Sequence, residues 1–411
     1  MTWKSIVEYA KALRKFYLAA SKKDKTGILN EFGRVTGYHR KSAVRLLLHP
    51  PAGRGCRRGR PPKYDRELVR PLVKLWEASD CAGSKRLQPF LPFLLASLED
   101  HEELQLDQET KEKLLSLSAA TIDRLLKPFR QRPLRRPFSQ AQSLTSIKAL
   151  VPIRTFGDWR EVKPGSLQAD LVFHCGESLE GFHLTTLVAI DVSTGWTECE
   201  PIWGKGQQRV GSGVHHVREH LPFAVRELHT DNGGEFLNEV LYTWCKREGI
   251  HFTRGRPYKK NDQAHVEQRN WSLVRRLVGY DRYSSKEAYL QLGKVYRLIR
   301  LYSNFFQPIS KLTHKQRVGA KVRKQYDKAK TPYQRVLEAK ILTEPETQEM
   351  EKLYRNLNPV RLRAQMYAEL ERLWKLAERP GSTASSKTAT RASAPGAREP
   401  SLQAVRDTEL R

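Results

Sequence analysis

The sequence predicts an α/β domain built on a mixed sheet, with helical regions before and after it. Two observations carry that expectation. Residues 167–174, 182–191 and 196–202 are strand-like runs separated by Gly181 and by Ser193-Thr194-Gly195, the pattern of an antiparallel meander. Beyond them, strand-like segments at 225–230 and 250–253 alternate with helical periodicity at 206–220, 235–248, 262–279 and 286–305. Strands followed by intervening helices pair in parallel, so the sheet is expected to be mixed.

Before residue 150 the texture is helical. Residues 4–20 place Ile6, Tyr9, Ala10, Leu13, Phe16 and Tyr17 at helical spacing, and 24–34 does the same with Ile28, Leu29 and Phe32. Thr36-Gly37 breaks that run, and a short basic helix follows at 39–48. Helix, glycine turn, basic helix is the helix-turn-helix pattern, so 1–50 is expected to bind DNA, with an ordinary helical hairpin as the plainer reading. Arg40, Lys41 and Arg45 lie on the face left free by Ala43, Leu46 and Leu47. Residues 51–64 are a proline- and glycine-rich basic linker. Its Arg58-Gly59-Arg60-Pro61 resembles an AT-hook, which places arginines in a narrow minor groove; a solvated basic linker is the alternative.

A second helix-turn-helix-like region is expected over 65–130. Val69, Leu72, Val73, Leu75 and Trp76 form one apolar face, and Ser118 is a candidate N-cap ahead of Ile122, Leu125 and Leu126. Residues 131–149 read as a second basic linker and 150–305 as the α/β core. Residues 306–378 look helical and charged, and 379–411, rich in Pro, Gly, Ser, Thr and Ala, read as a disordered tail.

Composition limits the partners. Across 411 residues, 73 Lys and Arg face 45 Asp and Glu, a formal charge of +28 that suits a polyanion. Five widely spaced cysteines, with no Cys-x-x-Cys, support neither a disulfide framework nor a zinc ribbon. Neither a signal-peptide core nor a membrane-spanning run is present, so a cytoplasmic, nucleoid-associated protein is expected.

Three acids stand out. Asp170 interrupts an apolar strand, where a carboxylate is costly unless a metal or a cation pairs with it. Asp231 is delivered by the strand 225–228 to Asn232-Gly233-Gly234, at a sheet end where α/β ligand sites occur. Glu267 follows the basic loop Arg256-Pro-Tyr-Lys-Lys-Asn-Asp-Gln-Ala and begins a helix. Each has a bland alternative: a structural ion pair, a hairpin turn, a solvated first-turn glutamate. Around them, Lys259 and Lys260 are candidate phosphate contacts, and Arg275, two turns past Glu267, could follow a DNA backbone. Asn232 could orient Asp231 or a phosphate. His229 reads as a packing residue, Asp191 as a rival for the first acid, and Glu235 as the start or cap of the next helix.

Together the acids resemble the D,D-35-E signature, since 267 − 231 − 1 = 35 residues separate the last two. That signature belongs to the retroviral-integrase superfamily and related bacterial insertion-sequence transposases. The segments 255–271 and Leu301-Tyr-Ser-Asn-Phe-Phe-Gln-Pro308 look especially like the transposase branch. The resemblance covers roughly 150–305 and implies an RNase H-like core with catalytic, metal-holding Asp170, Asp231 and Glu267. It implies two Mg²⁺ or Mn²⁺ ions, one activating water or a 3′-hydroxyl and the other stabilising the leaving oxygen. It further implies cleavage at terminal inverted repeats, transfer to target DNA, and a homodimer or higher assembly. No ATP is expected, and no Walker-type motif occurs. The chain departs from retroviral integrases in lacking a His-His-Cys-Cys pattern at its N-terminus, and 310–378 does not resemble their small β-barrel. A catalytically inactive DNA-binding regulator and an RNase H-like nuclease are the rival functions.

Overall fold

A computed structural model describes residues 1–50, 66–130, 150–154, 159, 162–257, 260–318 and 321–378. Arg58 and Arg60 in the first linker, the second linker, Lys259 and the tail 379–411 lie outside the described residues. The chain divides into two compact units, Met1–Lys63 and Tyr64–Arg411.

The first unit is three helices: α1 (Trp3–Ala19), α2 (Lys22–Thr36) and α3 (Arg40–Leu48). Thr2 and Ser21 cap α1 and α2 by accepting the backbone N–H of Ser5 and Asp24. Gly37 closes α2 at φ 75°, a left-handed conformation that favours glycine, and donates its N–H to Gly33 O. Three residues, 37–39, separate α2 from α3. Ile6, Ala10, Tyr17, Leu29, Phe32, Ala43 and Leu47 form the core, with Tyr9 stacked on Phe32 at 5.5 Å. Phe16, expected on the inner face, is exposed. At 100° per residue Tyr17 falls back in line with Ile6 and Ala10, and Phe16 does not.

In the second unit, α4 (Arg66–Ala78), α5 (Ser84–Asp100), α6 (Gln108–Leu115) and α7 (Ala119–Leu126) share one apolar core, and Ser118 caps α7 as expected. These helices pack against the rest of the unit. Tyr302 donates its hydroxyl to Ala78 O at 2.7 Å, and Tyr367 donates to Asp80 Oδ1 at 2.9 Å. The buried Asp80 also pairs with Arg276.

The sheet has strand order β3-β2-β1-β4-β5, formed by β1 (Ser166–Phe173), β2 (Thr185–Asp191), β3 (Thr197–Ile202), β4 (Glu227–Thr230) and β5 (His251–Arg254). β1, β2 and β3 are an antiparallel meander, while β4 adds parallel to β1 and β5 parallel to β4. This is the expected mixed sheet. Alternation along each strand sorts the two faces. Leu167, Ala169, Leu187 and Leu228 pack under α8 (Gln207–His220) and α9 (Glu239–Arg247). Val172, Val188 and Ile190 pack under α10 (Ala264–Arg269) and α11 (Lys286–Phe306). Gly213 lets α8 lie close on the sheet, because a Cβ there would fall 2.3 Å from Ile202 Cδ1.

Three expectations need correction. The helix after Asp231 starts at Glu239 with Asn238 as its cap, so Glu235 neither begins nor caps it. The expected helix 262–279 is a 3-10 turn (Lys260–Gln263), α10 and a π-helical turn (Asn270–Arg275). The wider π turn lets both Leu273 and Val274 face the core. The region after α11 is not wholly helical: β6 (Leu312–Val318) and β7 (Lys321–Tyr326) form an antiparallel hairpin before α12 (Pro332–Ala339), α13 (Glu344–Asn356) and α14 (Pro359–Lys375). No apolar alternation marks the period of two there, because the described side chains of both strands are exposed. No helix among the described residues is long and apolar enough to cross a membrane.

Candidate active site

Strand register brings the two aspartates together. β1 and β4 pair in parallel, with Gln168 opposite His229. Two residues further along the chain from that pair come Asp170, within β1, and Asp231, just past the end of β4, on the same face. The Asp231 charge acts on the Asp170 carboxyl, so the two lie close to one another. Asp231 stands one residue beyond β4, where its Oδ1 accepts the N–H of Gly233 at 2.9 Å. Gly233 gives both carboxylates room, since a Cβ there would come 2.7 Å from Glu235 Oε2 and 2.9 Å from Asp231 Oδ1 and would push those side chains aside.

Gln168 holds the third acid in place. It is fully buried, two residues before Asp170, so it points to the face covered by α10. Its Nε2 donates to Asp262 O at 3.2 Å and its Oε1 accepts Val266 N–H at 3.3 Å. One side chain of β1 thus ties down both ends of the turn that leads into Glu267. Asn270, one turn past Glu267, donates Nδ2 to Asp170 Oδ2 at 2.7 Å. Asp170 Oδ1 accepts Leu171 N–H at 2.8 Å.

Burial first, then the charges of Asp231 and Glu267, raise the Asp170 carboxyl to about 7, against the lowering hydrogen bonds from Leu171 and Asn270. Asp170 is partly buried, whereas Asp231 and Glu267 are exposed. The carboxylates are neighbours without being convergent: among the described residues, no three His, Cys, Asp or Glu side chains form a group that could hold a metal ion as they stand. The donor set itself is all carboxylate oxygen, which fits a hard divalent cation.

The remaining candidates have defined places. Asp191 is fully buried and accepts the N–H groups of Gly165, Ser166 and Thr194 and the Thr194 hydroxyl, at 2.6–3.0 Å. It builds the β2–β3 turn. His229 bonds Thr253 Oγ1 at 3.0 Å and packs edge-on against Trp159 at 5.1 Å; burial pulls its pKa down to about 4, so it is neutral at neutral pH. Asn232 donates to Gly255 O at 2.8 Å and accepts from Arg254 at 3.0 Å, joining the Asp231 turn to the loop after β5. Lys260 opens the 3-10 turn of that loop. Arg275 is half-buried, stacked on Tyr280 at 4.9 Å, and burial lowers its pKa. Lys41 and Arg45 are exposed on α3, while the exposed Arg40 donates to Asn30 Oδ1 at 3.0 Å.

Sequence reasoning missed Gln168, Asn270 and the Arg256–Asp262 pair. A glutamine in an otherwise apolar strand, two residues from a key acid, was a readable signal. Arg256 grips the buried Asp262 through two bonds of 2.8 and 2.9 Å, and nothing in the sequence marks that lock.

No family model matches the sequence. The protein y4rM of Sinorhizobium fredii, described as uncharacterized, is 43% identical over 319 residues, covering 78% of this chain and 91% of y4rM. This chain belongs to the y4rM family. Among solved structures, the HTLV-2 integrase catalytic core domain in complex with magnesium is 15% identical with a TM-score of 0.27, over 36% of this chain and 92% of that one. The catalytic core domain of BIV integrase is 21% identical with a TM-score of 0.27, over 43% and 95%. Likeness that slight carries no assignment for the y4rM family. The chemistry has to come from the strand order and the acids.

Proposed function

We propose that this chain is a metal-dependent DNA transposase of the bacterial insertion-sequence type, acting on the ends of its mobile element and on target DNA. The observation that supports the reading is the parallel β1–β4 pairing, which leads to Asp170 and Asp231 on one face, while Gln168 and Asn270 tie the helix carrying Glu267 to β1. In this reading Asp170, Asp231 and Glu267 hold Mg²⁺ or Mn²⁺, two ions in all. When bound, such ions lower the pKa of an attacking hydroxyl and stabilise a leaving oxygen in in-line displacement. Asn270 and the Leu171 N–H orient Asp170, and the Gly233 N–H orients Asp231. The loop carrying Lys259 and Lys260 contacts phosphates next to the scissile bond, with Arg275 behind it. Helices α2 and α3, through Arg40, Lys41 and Arg45, bind the terminal repeat, aided by Arg58 and Arg60 in the minor groove. The four helices α4–α7 add a second DNA contact. Paired ends call for a dimer or higher assembly.

Asp231→Asn tests this directly. Cleavage and strand transfer on terminal-repeat DNA should fall by more than the ~10–100-fold that loss of an outer partner costs, while repeat binding stays within twofold or so. Wild-type strand transfer in that variant rejects the assignment. Hydrolysed but never joined products would favour a nuclease.

A further inference from the structure

The hairpin β6–β7 has no core to serve. Every side chain described along it, residues 312–317 and 322–326, is exposed, so neither face packs on the protein. An isolated two-stranded ribbon is marginal in water and needs some other reason to exist.

Its sequence supplies one. Residues 312–326 contain Lys315, Arg317, Lys321, Arg323 and Lys324 and no acid. The register sets Lys315 directly opposite Lys324, a like-charge pair that weakens the hairpin on its own. Lys315 and Lys324 share one face with Arg317, and Arg323 lies on the other beside Gln316 and His314. None of the side chains of His314, Lys315, Arg317, Arg323 and Lys324 enters an ion pair with another described residue.

The root, by contrast, is firmly held. Lys311 donates its N–H to Asp327 Oδ1 at 2.7 Å, and Asp327 pairs with Arg335 at 2.8 Å. Lys311 Nζ reaches Val192 O at 2.7 Å and also Ser193 O, in the turn between β2 and β3. A cationic, two-faced ribbon anchored at its root therefore projects from the body of the α/β unit.

We propose that β6–β7 is a DNA-binding ribbon that enters a groove of duplex DNA and contacts the phosphates on both walls. A two-stranded ribbon fits the major groove, and cations on both faces meet both strands of the backbone. The phosphates relieve the repulsion between Lys315 and Lys324. This deepens the DNA-processing reading, but its test reads binding alone, so an inactive yet DNA-gripping chain would leave the ribbon standing and sink only the catalysis.

The test uses the full chain and a random-sequence duplex, with affinity measured by fluorescence anisotropy across a salt series. One variant replaces Lys315, Arg317, Arg323 and Lys324 with Ala. A charge-matched control replaces the exposed Lys246, Lys286, Lys352 and Lys375. Loss of four phosphate contacts should flatten the log–log salt slope by about 3–4, with a matching loss of affinity at low salt, and the control should keep the wild-type slope. Amide exchange over 312–326 should slow when duplex is added to the wild type. Equal slopes in the ribbon variant and the control, or unchanged exchange on adding duplex, would overturn the proposal. So would a ribbon variant that loses binding to anionic phosphatidylserine vesicles but not to DNA.

Discussion

Two aspartates on neighbouring strands meet burial in different ways. Asp191 ends β2 at the start of β1, and Asp170 lies in the body of β1 opposite Val188. Burial raises the pKa of both. Asp191 answers burial with four donors from Gly165, Ser166 and Thr194, and Lys311 stands nearby. Asp170 has two donors and two neighbouring negative charges, Asp231 and Glu267. One carboxylate is satisfied by the fold. The other is kept short of counter-charge, and a divalent cation would supply it.

The largest effect expected from this contrast is on stability. Asp191→Ala leaves three backbone N–H groups without their acceptor and should cost about 3–5 kcal/mol in urea unfolding. Asp170→Asn removes a charge that its surroundings oppose, so stability should hold or rise slightly while strand cleavage is lost. If Asp170→Asn unfolds the protein as badly as Asp191→Ala, the contrast is void.

Gln168→Ala comes next. It strips two hydrogen bonds from the turn before Glu267, at about 1–3 kcal/mol. Because Gln168 positions α10 without touching substrate, the metal concentration needed for half-maximal cleavage should rise ~10–100-fold, with repeat binding unchanged. A variant that loses stability but keeps its metal requirement would make Gln168 a packing residue only.

A pH series sharpens the comparison further. The Asp170 carboxyl goes from 3.8 in its ordinary state to about 7 in the fold. The folded chain thus holds a proton that the unfolded chain has lost, so the associated stability is complete below about pH 4 and drains away as pH rises through about 7. Asp170→Asn should flatten the urea-midpoint slope in that window, and Mg²⁺ should flatten it in the wild type. An identical slope in the Asn variant would place the titration elsewhere. The smallest effect is expected for Glu267→Gln, an exposed position, where stability should change by under ~0.5 kcal/mol despite lost cleavage.

Much of this site was legible before the fold was known, for physical reasons that differ by residue. The meander was readable because Gly181 and Ser193-Thr194-Gly195 interrupt apolar runs. Asp231 was readable because two glycines follow it in a turn. What stayed hidden depends on long-range placement. The hold of Gln168 on Val266 spans 98 residues, and local pattern says nothing about it. The π turn at 270–275 looked like continuous helix, since helical periodicity tolerates one widened turn. The β6–β7 ribbon lacks the apolar alternation that marks a half-buried strand, because neither of its faces is buried.

Mn²⁺ titration followed by electron paramagnetic resonance tests the central claim most directly, on the wild type and on Asp170→Asn, Asp231→Asn and Glu267→Gln. If the three acids act as one metal-holding set, the wild type binds Mn²⁺ and each single variant weakens that binding by more than about tenfold. Binding left intact by any one of the three substitutions would contradict it.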